Sequence, residues 1–86
     1  IKKKKKEIRL TNIEFTLLEL LLDNKGQILT RNVILDNIWG YTPQRYLDTR
    51  IVDVHISRLR IKIEDNAKTP EFIITVRGAG YKFQNI

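Results

Sequence analysis

Residues 49–64 read Thr49-Arg50-Ile51-Val52-Asp53-Val54-His55-Ile56-Ser57-Arg58-Leu59-Arg60-Ile61-Lys62-Ile63-Glu64. Asp48 or Thr49 is placed to cap a helix that runs to about Glu64. At about 100° of rotation per residue, Val52, Ile56, Leu59 and Ile63 fall within about 60° of one another. That stripe faces a core. Arg50, Val54, Ser57, Arg58 and Ile61 fall on the opposite side, with Ile51 beside them; Arg60 and Lys62 flank the core stripe. A merely solvated face carries Glu, Lys and Gln. This one carries Arg, Ser, Val and Ile, and Asp53 is the only acid from Arg50 to Lys62. Exposed Val54, Ile51 and Ile61 need a partner, and thymine methyl groups in a DNA major groove would serve. On the same reading Arg58 donates two hydrogen bonds to a guanine, while Arg50 and Arg60 meet phosphates.

Two shorter helices precede this one. Thr11-Asn12-Ile13-Glu14 fits a capping box, a threonine N-cap with glutamate three residues on. Ile13, Phe15, Leu17, Leu18, Leu20, Leu21 and Leu22 follow, in a helix ending near Asn24 with Gly26 as terminator. Ile28-Leu29 suits a short strand. Thr30 caps the second helix, whose apolar faces come from Val33, Ile34, Leu35, Ile38 and Trp39. Gly40-Tyr41-Thr42-Pro43 stops it, and Gly40 to Leu47 reads as a loop.

After the polar stretch from Asp65 to Pro70, two strand-like runs follow. Phe72 to Val76 and Tyr81 to Phe83 flank Arg77-Gly78-Ala79-Gly80, the pattern of a β-hairpin. At the other end, Lys2 to Lys6 lies between Ile1 and Ile8-Arg9-Leu10, the remnant of a hairpin with a charged turn. That run is read as a solvated turn or frayed end, with a direct nucleic-acid contact as the alternative. The expected fold is α+β: a hairpin remnant, three helices and a terminal hairpin, as in a winged helix-turn-helix.

Composition narrows the function. The chain has 86 residues, enough for one domain, with 42% hydrophobic and 30% charged residues. Its net charge of +6 favours a polyanionic partner, although without the five lysines of Lys2 to Lys6 the balance is only +1. With no Cys and one His, neither a disulfide framework nor a Cys- or His-rich metal site is read, and no cofactor is expected. Glu19 interrupts the longest apolar run, so no membrane span is expected. No secretory signal is read, and a start at Ile1 suggests a piece of a longer protein. Asp53, His55 and Ser57 are triad residue types, but residues two apart on a helix point in nearly opposite directions and form no relay. Glu14 is occupied by capping. A role for His55 beside the core, satisfied by a phosphate or a backbone group, is the expectation.

Four segments in this order carry a resemblance: LTNIEFTLLELL at 10–21, RNVILDNIWG at 31–40, RIVDVHISRLRIKIE at 50–64 and ITVRGAGYKF at 74–83. Together they resemble the OmpR/PhoB-type winged-helix effector domain of two-component response regulators, over Ile8 to Phe83. The loop GYTPQRYLDTR is most similar to the branch called regulators of phycobilisome association, from cyanobacteria and red-algal plastids. The resemblance implies sequence-specific binding of double-stranded DNA in transcription control. It implies a location in a bacterial cytoplasm or a plastid stroma.

Carried onto matching positions, Arg50, Ile51, Val54, Ser57, Arg58 and Arg60 form the set facing the major groove. Arg58 is the main base reader. Arg31 and Trp39 position the phosphate backbone from the second helix; Thr75, Arg77 and Tyr81 do so from the wing, with Arg77 in the minor groove. Trp39 and Tyr81 suit a core role equally well. The resemblance also implies RNA polymerase contact through the Gly40 to Leu47 loop, and a monomer that pairs in tandem on direct repeats.

Several positions depart from the family. Val33 stands where members often have glutamate, so the second helix lacks a capping box. Ile51 and Ser57 stand where many have threonine or a basic residue. Only the last hairpin of the family's four-stranded N-terminal sheet has a counterpart, and the receiver domain has none. A winged-helix protein-interaction module is the alternative; the basic, aromatic-poor face of the third helix argues against it.

Overall fold

Thr11 opens the first helix by exchanging hydrogen bonds with Glu14. The Glu14 N–H donates to the Thr11 hydroxyl (3.2 Å), and the Thr11 N–H donates to Glu14 Oε1 (2.9 Å). In the computed structural model, which describes residues 2–3, 6–40 and 49–84, this helix is α1, Asn12–Asp23. Before it, β1 (Lys2–Lys3) and β2 (Lys6–Glu7) pair antiparallel, the hairpin remnant read from the sequence. The tip of that hairpin lies outside the described residues.

Beyond α1, Gly26 adopts a positive φ of 81° and donates its N–H to the Phe83 carbonyl, leading into β3 (Ile28–Leu29). Helix α2 (Arg31–Trp39) starts where the Thr30 hydroxyl accepts from the Val33 N–H at 3.1 Å. With Val33 in third place no acid returns the bond, as its sequence requires. Helix α3 spans Arg50–Ile63. Here the expected cap is corrected: Thr49 stands at the N-cap position, but its backbone is already helical and its side chain makes no capping bond. The other candidate, Asp48, lies outside the described residues.

Strands β4 (Ile73–Val76) and β5 (Gly80–Phe83) form the terminal hairpin, with Thr75 opposite Tyr81 and Val76 opposite Gly80. β3 pairs with β5, giving an antiparallel sheet of order β3-β5-β4. Gly80 is required by this crossing: a Cβ there would lie 2.1 Å from the Leu29 carbonyl oxygen. The sheet and the three helices share one core. Leu17, Ile34, Val52, Ile56, Leu59 and Ile73 have no exposed surface in it. Burying each such side chain contributes about 1.5–3 kcal/mol, so the α3 stripe holds the helix by hydrophobic packing.

Two buried carboxylates tie α3 to its neighbours. Glu64, 1% exposed, accepts from the N–H groups of Glu71 (2.8 Å), Phe72 (3.0 Å) and Ile73 (2.8 Å). Glu14, 3% exposed, is ion-paired with Lys62 and so joins α1 to α3. Burial acts to raise the Glu14 pKa, but the bonds from Lys62 and the Thr11 N–H, with the Lys62 charge, outweigh it and hold the carboxyl below its ordinary 4.5.

Two outcomes are expected. Glu64→Gln turns one acceptor oxygen into a donor facing backbone N–H groups. It should cost about 1–3 kcal/mol of stability in urea unfolding; an unchanged midpoint would contradict the clamp. Because the folded-state pKa of Glu14 is lowered, its contribution is present above the unfolded value and is lost as pH falls through the folded value. The acid limb of a stability–pH curve should therefore flatten below about pH 4.5 in Glu14→Gln. A limb as steep as the wild type's would show that Glu14 does not carry it.

Candidate nucleic-acid interface

The exposed side of α3 presents Arg50, Val54, Ser57, Arg58 and Ile61, as the helical angles require. Val54 is 45% exposed and Ile61 67%. Ile51 is corrected. It is half-buried and packs against the core cluster, because the side chain lies at the edge of the exposed arc where α3 meets its neighbours. Its carbonyl accepts from His55 Nδ1 at 2.9 Å, which fixes the proton on that ring nitrogen. The backbone partner expected for His55 is thus present. Trp39, half-buried at the end of α2, meets the His55 ring edge-on at a centroid distance of 5.1 Å.

Arg60 differs most from its expected role as a phosphate ligand. Its guanidinium turns toward the hairpin. It donates through Nε and Nη2 to the Ile73 carbonyl (3.2 and 2.8 Å) and through Nη2 to the Thr75 hydroxyl (2.8 Å). It also lies over the Tyr81 ring, 5.5 Å from the centroid. Thr75 is exposed and accepts this bond. Tyr81 is 5% exposed, in keeping with the core role read for it beside the surface one.

Asp53 is the residue that sequence reasoning passed over. One oxygen, Oδ1, accepts from Arg31 Nε on α2 (2.9 Å) and from the Tyr81 hydroxyl on β5. Three elements meet at this carboxylate. Hydrogen bonding and charge from Asp53 raise the Arg31 pKa further. Burial first, then Asp53, push the Tyr81 phenol above its ordinary value, so it stays a donor at neutral pH. The signal was available: a lone acid flanking the apolar stripe of an otherwise basic helix.

Between the α2 start, the α3 start and the hairpin lies an open cleft of about 350 Å³, lined by Thr30, Arg31, Asn32, Thr49, Arg77 and Gly78 among others. Arg77 is exposed at the hairpin turn, where Gly78 takes a positive φ of 74°. Arg31 and Arg77 thus line this cleft, and Arg50 and Arg58 lie on the exposed side of α3. Residues 41–48, most of the loop expected to meet RNA polymerase, lie outside the described residues. Among the described residues no helix is long and apolar enough to cross a membrane, and no three His, Cys, Asp or Glu side chains are grouped to hold a metal ion.

Three helices with a basic third helix beside a two-stranded wing define a winged helix-turn-helix domain. Residues 5–83 match the family described as "Transcriptional regulatory protein, C terminal", and the chain belongs to it. It is 61% identical over 84 residues to "Probable transcriptional regulator ycf27" of Galdieria sulphuraria, covering 98% of this chain and 33% of that protein. It is 51% identical over 81 residues to the alkaline phosphatase synthesis transcriptional regulatory protein PhoP of Bacillus subtilis, covering 94% of this chain and 33% of that protein. The chain thus spans about a third of the length of these curated relatives. Among solved structures, the Klebsiella pneumoniae RstA DNA-binding domain in complex with the RstA box superposes with a TM-score of 0.78 at 44% identity, covering 90% of this chain and 74% of that one. The Thermotoga maritima response regulator DrrB, an OmpR/PhoB homolog, gives 0.83 at 36% identity, covering 95% and 36%.

Asp53→Asn should weaken the junction by about 1.5–3 kcal/mol, the range for hydrogen bonds to a charged group. It should also lower the Tyr81 titration midpoint followed by NMR, since Asp53 raises it. A midpoint that stays in place would show that Asp53 does not govern the phenol.

Proposed function

We propose that this chain binds double-stranded DNA sequence-specifically, as the output domain of a two-component response regulator that controls transcription. The observation that carries the reading is the α3 face, where exposed Arg58 lies between exposed Val54 and Ile61 on a helix locked to the wing. A major groove admits such a helix, and its base edges offer guanine acceptors and thymine methyl groups to this set of side chains. Arg58 reads guanine, Val54 and Ser57 contact neighbouring base edges, and Arg50 meets phosphate. Arg31 and Trp39 line the backbone from α2, and Arg77 enters the minor groove from the wing. Arg60, Thr75 and Tyr81 serve this surface by fixing the angle between α3 and the wing. The RstA domain, 44% identical, was solved with its RstA box, which supports the reading.

On this reading the chain is one winged-helix domain of a longer regulator whose receiver domain lies elsewhere in the protein. It is a monomer alone and binds direct repeats in tandem. The Gly40 to Leu47 loop contacts RNA polymerase. Relatives from red algae and bacteria favour a plastid stroma or a bacterial cytoplasm as its location. Phe15, 56% exposed, and Leu22, 39% exposed, favour a separate protein contact on the outer face of α1.

Selection of bound duplexes from a random library at about 150 mM salt should enrich two directly repeated half-sites about one helical turn apart. On the selected site, Arg58→Ala should cost about 1–3 kcal/mol and relax preference at one base pair. Equal loss on all sequences would remove Arg58 as base reader. No binding to any duplex would favour the protein-interaction module instead.

A further inference from the structure

Ile61 is the most exposed of the large hydrophobic side chains on α3, at 67%. It points away from the core stripe of Val52, Ile56 and Leu59, all of which are fully buried. Packing therefore does not explain it. On a helix, Val54, Arg58 and Ile61 stand at i, i+4 and i+7, so they form one stripe along the exposed face. Val54 and Ile61 are seven residues apart, which is about 10.5 Å along the axis, or about three base-pair steps of B-DNA.

We infer that Ile61 is a specificity-determining residue that seats the C5-methyl group of a thymine, about three base pairs beyond the one met by Val54. This deepens the DNA-binding reading above and rests on it. The charge around Ile61 selects the occupant. Exposed Arg58 stands one turn before it on the same stripe, while Arg60 and Lys62 turn inward, and Asp53 is the only acid from Arg50 to Lys62. The core of a protein interface is depleted of charge, and an isoleucine in line with an exposed arginine is better matched by a methyl group flanked by phosphates. A thymine presents such a methyl in the major groove, and a cytosine does not. The stripe then reads in sequence: methyl at Val54, guanine at Arg58, methyl at Ile61.

The test uses the duplex obtained by selection, with each thymine replaced singly by deoxyuridine, which deletes only the methyl. The wild-type chain should lose about fourfold in affinity at one thymine on the Ile61 side, the increment for removing one methyl from an apolar contact. Ile61→Ala should bind all variants with that one step abolished and the remaining steps intact. Ile61→Leu should keep it. Because Ile61 is exposed, both variants should melt with the wild type. A scan in which Ile61→Ala shows the same step at the same thymine overturns the assignment while leaving sequence-specific binding in place. A wild-type chain that selects no sequence overturns the DNA-binding reading, and this inference with it.

Discussion

The backbone of Ile73 is gripped on both sides by the end of α3 and its C-cap. Its N–H donates to Glu64, and its carbonyl accepts from Arg60. Both grips come from the same end of one helix, and Ile73 itself is fully buried. A strand held this way neither slides along α3 nor turns about it. The wing consequently takes its angle from the helix, and the sheet order β3-β5-β4 carries that angle to Leu29 at the start of α2. Asp53 closes the same circuit from the other end of α3, through Arg31 and Tyr81. An interface that spans a helix and a hairpin depends on their separation, and these contacts set it.

The cations divide into two populations. Arg60 and Lys62 turn inward, one to the wing and one to Glu14, and Arg31 is tethered to Asp53. These charges hold elements together. Arg58 and Arg77 stand on exposed positions of α3 and the wing turn. The net charge of +6 therefore overstates the local field, since part of it is matched within the fold and part belongs to the lysines of the first hairpin. What marks the face is its arrangement: cations interleaved with Val54 and Ile61 on a helix whose reverse side is wholly apolar.

The features set by neighbours in the chain were legible. The Thr11–Glu14 box, the Thr30 cap without a partner at Val33, the α3 stripe and the wing hairpin all follow from residues within one or two turns of each other. The features set across the fold were not. Arg60 flanks the core stripe on a helical wheel, and its angle gives no sign that the Ile73 carbonyl lies within reach. Tyr81 suited both surface and core until Asp53 supplied a partner for its hydroxyl. Ile51 looked exposed because the wheel treats α3 as isolated, whereas neighbouring elements cover its flank. Glu64 reads as a helix end, and only the return of residues 71–73 turns it into a clamp. Of the residues the family resemblance assigns to this surface, Arg60 and Tyr81 are also bonded within the scaffold.

The most direct measurement is a titration of the isotopically labelled chain with the selected duplex, following every backbone amide by NMR. The account predicts the largest shifts along the exposed side of α3, from Arg50 to Ile61, at the wing turn around Arg77, and at the α2 start around Arg31, saturating together. The outer face of α1, at Phe15 and Leu22, should be unmoved. Shifts confined to that outer face, with α3 and the wing unchanged, would contradict it.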